Sequence, residues 1–207
     1  MRTLVYRAVF GGDFLGHAGV NMYTHNINDI SLSFETTSRV FSPHNADKGT
    51  LAMLSLVELT PDDKLLDLGC GYGLVGIYAS KFLPHENIVM CDNDANCIQL
   101  AKKNAVLNGA DGIKIVQSNG FQNIDDTNFS LILSNPPYHA DFSVPKHFIE
   151  KGFNRLKIGG KMYMVTKRKD WYKNKLTAIF GGVKITEIDG YFIFRAEKRN
   201  AKYANKK

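Results

Sequence analysis

The chain has 207 residues, 44% of them hydrophobic and 22% charged, which suits one globular domain or one domain with a small extension. It has no run of about 18 apolar residues that would read as a membrane span. Its start, MRTLVYRAVFGGDFLG, is interrupted by Arg7 and Asp13 and does not read as a signal peptide. The net charge of +6 sits unevenly, in a basic tail over 198–207 (Lys198, Arg199, Lys202, Lys206, Lys207) and in a cluster of Lys161, Lys167, Arg168, Lys169, Lys173 and Lys175 opposed only by Asp170. Such clusters are either solvated surface or phosphate contacts.

Residues 1–27 show little periodicity and carry Gly11, Gly12, Gly16 and Gly19, so they are expected to form an irregular extension. Ile30, Leu32 and Phe34 then alternate with polar residues, as in a strand. Asp47 can cap a helix through Leu51–Leu59, stopped by Thr60-Pro61. Beyond it the chain alternates. Strands are expected at 64–68, 87–91, 113–116, 129–133 and 161–166, and helices at 72–81, from Asp94 to about Leu107, at 145–156 and at 170–180. Strands at 183–187 and 191–196 flank a hairpin turn at Asp189-Gly190. This order predicts an α/β sheet with helices on both faces and function outside the carboxyl ends of its parallel strands.

The stretch LLDLGCGYGLVG, Leu65–Gly76, joins a buried strand to a helix through a glycine turn against which a ligand can lie. Gly71-Tyr72-Gly73-Leu74-Val75-Gly76 fits the dinucleotide pattern G-x-G-x-x-G, so a nicotinamide or flavin cofactor has to be weighed. The frame D-x-G-x-G at Asp67, Gly69 and Gly71 is closer to the adenosylmethionine loop of class I methyltransferases. Asp92, at the next strand end, can accept hydrogen bonds from ribose hydroxyls or cap a helix with Asp94. Asp67 can hold the glycine loop or meet a cofactor amino group. Ser118 and Asn119 follow the third strand, where an adenine edge would lie, and Phe121 is either a ring contact or a core aromatic. Cys70, Cys91 and Cys97 have neither metal-ligand spacing nor an even disulfide count, so no metal and a reduced, cytoplasmic setting are expected.

After the strand FSLILS comes Asn135-Pro136-Pro137-Tyr138-His139. Two prolines fix a rigid turn and remove two backbone donors. The Asn135 side-chain oxygen and the Pro136 carbonyl can then face one point as acceptors for a planar NH2 group, and Tyr138 can stack on a base. A plain strand-ending turn is the competing reading.

Asp67–Gly71, Asp92 and NPPYH at 135–139 together resemble the class I S-adenosylmethionine-dependent methyltransferases of the small-domain type. The nearest likeness is to bacterial ribosomal RNA small-subunit guanine-N2 methyltransferases and archaeal single-domain relatives. VFSPHNADKGTLAML at 40–54 is similar to the family's segment leading into its first helix, with Arg39 where glycine is usual. The resemblance covers residues 28–197 and divides the chain into an extension at 1–27, a methyltransferase domain at 28–197 and a basic tail at 198–207. It implies a Rossmann-like, seven-stranded, mostly parallel sheet with a C-terminal antiparallel hairpin strand and helices on both faces.

The resemblance also implies site roles. S-adenosylmethionine would be held by Asp67, Gly69, Cys70, Gly71, Asp92, Asn93, Ser118, Asn119 and Asn135. Asn135, Pro136, Pro137 and Tyr138 would form the catalytic tetrad, with Phe41 and Lys48-Gly49-Thr50 closing the pocket. His139 shifts the family likeness toward guanine N2 and receives no proton-transfer role. The expected reaction is in-line methyl transfer to an exocyclic nitrogen, with RNA, ribosomal RNA or a ribosomal subunit first, as partner. The alternatives are a tRNA or adenine-N6 methyltransferase, a protein glutamine-N5 methyltransferase, and a noncatalytic RNA-binding assembly protein.

Overall fold

In the computed structural model, which describes residues 20–37, 47–137 and 141–204, the chain opens on a hairpin ribbon. Val20–Ile27 (β1) pairs antiparallel with Ile30–Thr37 (β2), and Asn28 and Asp29 turn the corner at φ +47° and +66°. Two consecutive left-handed residues give a turn whose twist matches that of the strands. The irregular extension expected at 1–27 is corrected here, because residues 20–27 are a strand. Its inward positions include Asn21 and His25 beside Tyr23 and Ile27, so polar residues on the packed face hide the alternation.

Next come Lys48–Leu54 (α1), Leu65–Leu68 (β3), Leu74–Ala79 (α2), Ile88–Asp92 (β4), Ala95–Leu107 (α3), Lys114–Gln117 (β5) and Phe129–Ser134 (β6). The chain closes with Ser143–Arg155 (α4), Leu156–Thr166 (β7), Lys169–Phe180 (α5), Lys184–Ile188 (β8) and Tyr191–Glu197 (β9). Asp47 caps α1 as expected, accepting from Thr50 N at 2.9 Å, but the helix stops at Leu54 rather than Leu59. Val57 and Leu59 still pack on the core from the following turn, which is why the apolar pattern outlasts the helix.

Seven strands form one sheet in the order β5-β4-β3-β6-β7-β9-β8. Neighbours are parallel from β5 to β7, and β9 runs antiparallel to both β7 and β8. Every residue of β3 and β6 is buried, as strands covered on both faces require. Alternate side chains serve different cores. Leu65, Ile88, Met90, Leu131 and Leu133 pack under the ribbon, α1, α2 and α3, whereas Leu66, Val89, Ile132, Met162 and Met164 pack under α4 and α5.

The ribbon is tied to this body by side-chain amides. Asn108 Oδ1 accepts from Ser33 N at 3.0 Å and its Nδ2 donates to Ser33 O at 2.7 Å. One turn earlier, fully buried Asn104 does the same for Glu35 N (2.7 Å) and Glu35 O (3.0 Å). Asn104 Nδ2 also donates to Tyr72 O in the glycine loop at 2.9 Å, joining ribbon, helix and loop at one residue.

Candidate active site

Strand order reverses between β3 and β6, so the chain leaving β3 and the chain leaving β6 diverge and open a crevice at their carboxyl ends. Both motifs singled out in the sequence lie on this rim.

The first wall is the glycine loop. Gly69 and Gly71 turn at φ +80° and +55°, and a Cβ built on Gly71 would meet nothing within 4 Å, so bare backbone faces open space there. Gly76 instead lets α2 press against β4, since a Cβ at that position would collide with Met90. Gly69 N and Cys70 N both donate to Cys91 O at 2.9 Å, locking the loop to β4.

Asp92 completes the fastening. Its Oδ2 accepts from Gly71 N at 2.9 Å and its Oδ1 from Asp94 N at 3.0 Å. Asp94, not Asp92, caps α3, by accepting from Asn96 N at 2.8 Å. A carboxylate has about four lone-pair sites, so Asp92 keeps acceptor capacity toward the crevice. Asn93 beside it is exposed, and its carbonyl accepts from Gln117 Nε2 at 3.1 Å.

Asp67 is buried under the loop and accepts from Gly76 N at 3.0 Å. The α2 N-cap is Gly73, which has no side chain to offer, so a strand carboxyl meets a helix-start N–H in its place. Burial first, and then the neighbouring Asp92 charge, raise the Asp67 pKa to about 7 against the opposing pull of the Gly76 bond. Burial likewise pushes the Cys70 thiol well above its ordinary value, so it stays protonated and is no nucleophile.

Ser118 and Phe121 both make contacts within the protein. The Ser118 hydroxyl is buried, donates to Gly120 O at 2.8 Å and accepts from Asn123 N at 3.0 Å, so it folds its own loop. Phe121 is a core aromatic beneath α4. Asn119 is exposed on the same loop.

The second wall begins at Asn135. Its Nδ2 donates to Asp47 Oδ1 at 2.7 Å and to Thr50 Oγ1 at 2.9 Å. A carboxylate such as Asp47 only accepts, and that fixes which way round the amide sits. The consequence is at the opposite atom, for Asn135 Oδ1 is buried and has no hydrogen-bond partner among the described residues. Buried acceptors are nearly always satisfied, and an unsatisfied one marks a place for a donor. Pro136 is buried and Pro137 exposed, and neither brings an N–H that could fill that place. Tyr138, His139 and Phe41 lie outside the described residues.

The sequence indicated Asp47 as a helix cap and Thr50 as part of a closing turn. It did not indicate that both grip Asn135, 88 and 85 positions away. No pattern signals that contact, because it exists only once α1 docks on β7 and β9 and so reaches the chain leaving β6. Among the described residues there is no cluster of side chains able to hold a metal ion, and no helix long and apolar enough to cross a membrane.

Residues 31–195 match the family model described as Methyltransferase small domain. The protein YbxB of Bacillus subtilis is 31% identical over 182 residues, covering 85% of this chain and 90% of that protein. The ribosomal RNA small subunit methyltransferase C of Cronobacter sakazakii is 31% identical over 184 residues, 86% of this chain and 53% of the relative. Among solved structures, the T. thermophilus 16S rRNA N2 G1207 methyltransferase in complex with AdoMet and guanosine shares the fold at TM-score 0.80 and 22% identity, over 88% of this chain and 52% of that one. The chain thus spans about half the length of these ribosomal RNA methyltransferases.

Proposed function

The chain belongs to the methyltransferase small domain family, and we propose that it moves a methyl group from S-adenosylmethionine to an exocyclic amino nitrogen, guanine N2 of ribosomal RNA, in the cytoplasm. The observation that carries this reading is the orphaned Asn135 Oδ1, a buried acceptor held in a fixed direction beside a bare-backbone loop. The two ribosomal RNA methyltransferases above support the choice of RNA, and the N2 G1207 activity of the T. thermophilus enzyme supports the choice of base.

The residues present fit the cofactor. Gly71 offers open backbone, Asp92 keeps lone pairs for ribose hydroxyls, and Asn93 and Asn119 stand exposed at the rim for the base. When bound, S-adenosylmethionine supplies an electrophilic methyl carbon on a sulfonium. The protein's part is positioning and electrostatics. Asn135 Oδ1 and the Pro136 carbonyl would accept the two hydrogens of the target amine, turning its lone pair out of conjugation with the ring. Both oxygens would then stabilise the positive charge that develops on nitrogen. No strong base is needed before attack, since the proton becomes acidic only as the new bond forms.

Incubation with methyl-labelled S-adenosylmethionine and, separately, ribosomal RNA, ribosomal subunits, tRNA and protein tests the reading. The expected product is N2-methylguanosine released from ribosomal RNA. Label recovered in protein or on adenine, or no transfer by a protein that binds the cofactor, overturns it.

A further inference from the structure

Strand β7 ends at Thr166 and runs straight into Lys167, Arg168 and Lys169, three exposed cations in succession. Each is seated over a ring. Lys167 Nζ lies 4.9 Å from the Tyr191 centroid, the Arg168 guanidinium 4.9 Å from Phe142, and Lys169 Nζ 5.0 Å from Phe192. Phe142 in turn stacks on Trp171, centroids 4.5 Å apart and planes 20° from parallel. These rings come from the start of α4, the first turn of α5 and the start of β9, so three elements converge to hold the row.

Cations pinned this way differ from a fringe of free lysines. Ring attraction restricts each side chain in the folded protein, so less rotamer freedom remains to be lost when an anion docks. Among the described residues none of the three forms an ion pair. The acids on the same segments are Asp141, which accepts from Ser143 N at 3.0 Å, Asp170 and Asp189, and Lys173 adds a further positive charge one turn along α5.

The row also stands in the right place. β7 lies parallel to β6 with Met164 opposite Ser134, so the cations just past Thr166 share the carboxyl rim with Asn135 and Pro136. Phe142 follows that proline turn along the chain. We propose that Lys167, Arg168 and Lys169, with the Phe142–Trp171 pair beside them, form the docking surface for a single-stranded RNA segment that carries the target base. This rests on the methyl-transfer reading above. An unpaired strand is the fitting occupant because phosphates and ring faces approach such a surface together, whereas a duplex keeps its bases stacked inside.

Fluorescence anisotropy with a short labelled single-stranded RNA, and with the matching duplex, reads this surface without any methyl transfer. The triple variant Lys167→Ala/Arg168→Ala/Lys169→Ala should raise the Kd at least about tenfold. It should also flatten the salt dependence of log K by about two, the slope of three phosphate contacts on a single strand. Lys102→Ala, on the exposed face of α3, should change neither. If the triple variant misfolds, Lys167→Met/Lys169→Met keeps an apolar stem over each ring and should flatten the slope by about 1.4. Unchanged affinity and slope, an equal effect from Lys102→Ala, or tighter binding of the duplex overturns the assignment. RNA bound through the row but never methylated would defeat the activity and leave the surface standing. Methylated RNA with unaltered variant binding would do the reverse.

Discussion

The two walls of the crevice treat their polar groups in opposite ways. In the glycine loop every fastening is made inside the protein. Gly69, Cys70 and Gly71 donate to β4, Asp92 accepts two N–H groups, and Asp67 meets the start of α2. Across the gap, Asn135 uses its nitrogen twice and leaves its buried oxygen unmatched. A wall that is already satisfied can keep its shape with or without a ligand. A wall with one acceptor open has its strongest preference for whatever brings a hydrogen to it.

Removing that acceptor should give the largest effect. Asn135→Ala is expected to lower kcat about 10²–10³-fold, the scale seen when one preorganised hydrogen-bonding group is lost, while calorimetric titration shows cofactor affinity little changed. Asp92→Ala should do the reverse, weakening cofactor binding about ten- to a hundredfold, as the loss of a charge-assisted bond of about 1.5–3 kcal/mol implies. If the two variants show the same pattern, the walls are not functionally distinct. Asp47→Ser then sharpens the contrast. Serine still caps α1, but Asn135 Nδ2 keeps only Thr50 and the amide is free to turn. Thermal stability should hold while kcat falls several-fold to about tenfold, in keeping with one lost bond to a charged partner. A fall in stability without a fall in kcat would reduce Asp47 to a cap.

The smallest effect belongs to Asp67. Its folded pKa of about 7 lies above the ordinary carboxyl value of 3.8, so the folded state holds a proton that the unfolded chain releases. Its contribution to stability is therefore complete below about pH 4 and is lost as the pH rises through about 7. Asp67→Asn, unable to ionise, should remove that part of the decline in a chemical-denaturation series across pH 4–8. An identical slope in both proteins would place the decline elsewhere.

Much of the first wall was legible because it is local. The apolar runs at β3, β4 and β6 are continuous, the glycines crowd one turn, and Asp92 ends a strand. The Asp189-Gly190 hairpin was plain for the same reason. The second wall was legible only as far as Asn135-Pro136-Pro137, since its grip by Asp47 and Thr50 spans most of the domain. β1 was hidden by Asn21 and His25 on its packed face. The loop bonds of Ser118 gave no signal, because a short polar residue after a strand serves a ligand and a loop equally well. Asn104 carried no signal at all, being one polar residue in an apolar helix face whose partners are backbone atoms of a distant strand.

That pair of asparagines on α3 has a consequence beyond attachment. Ser33 and Glu35 turn their backbone N–H and C=O groups away from β1, as the outer border of a two-stranded ribbon must. A bare border of this kind is a template for a strand from another molecule. Here two carboxamides, spaced by one helical turn, occupy the positions an intruding strand would take and complete the ladder from within. The protein thereby closes this border of the ribbon to strand addition without adding a single residue of sheet.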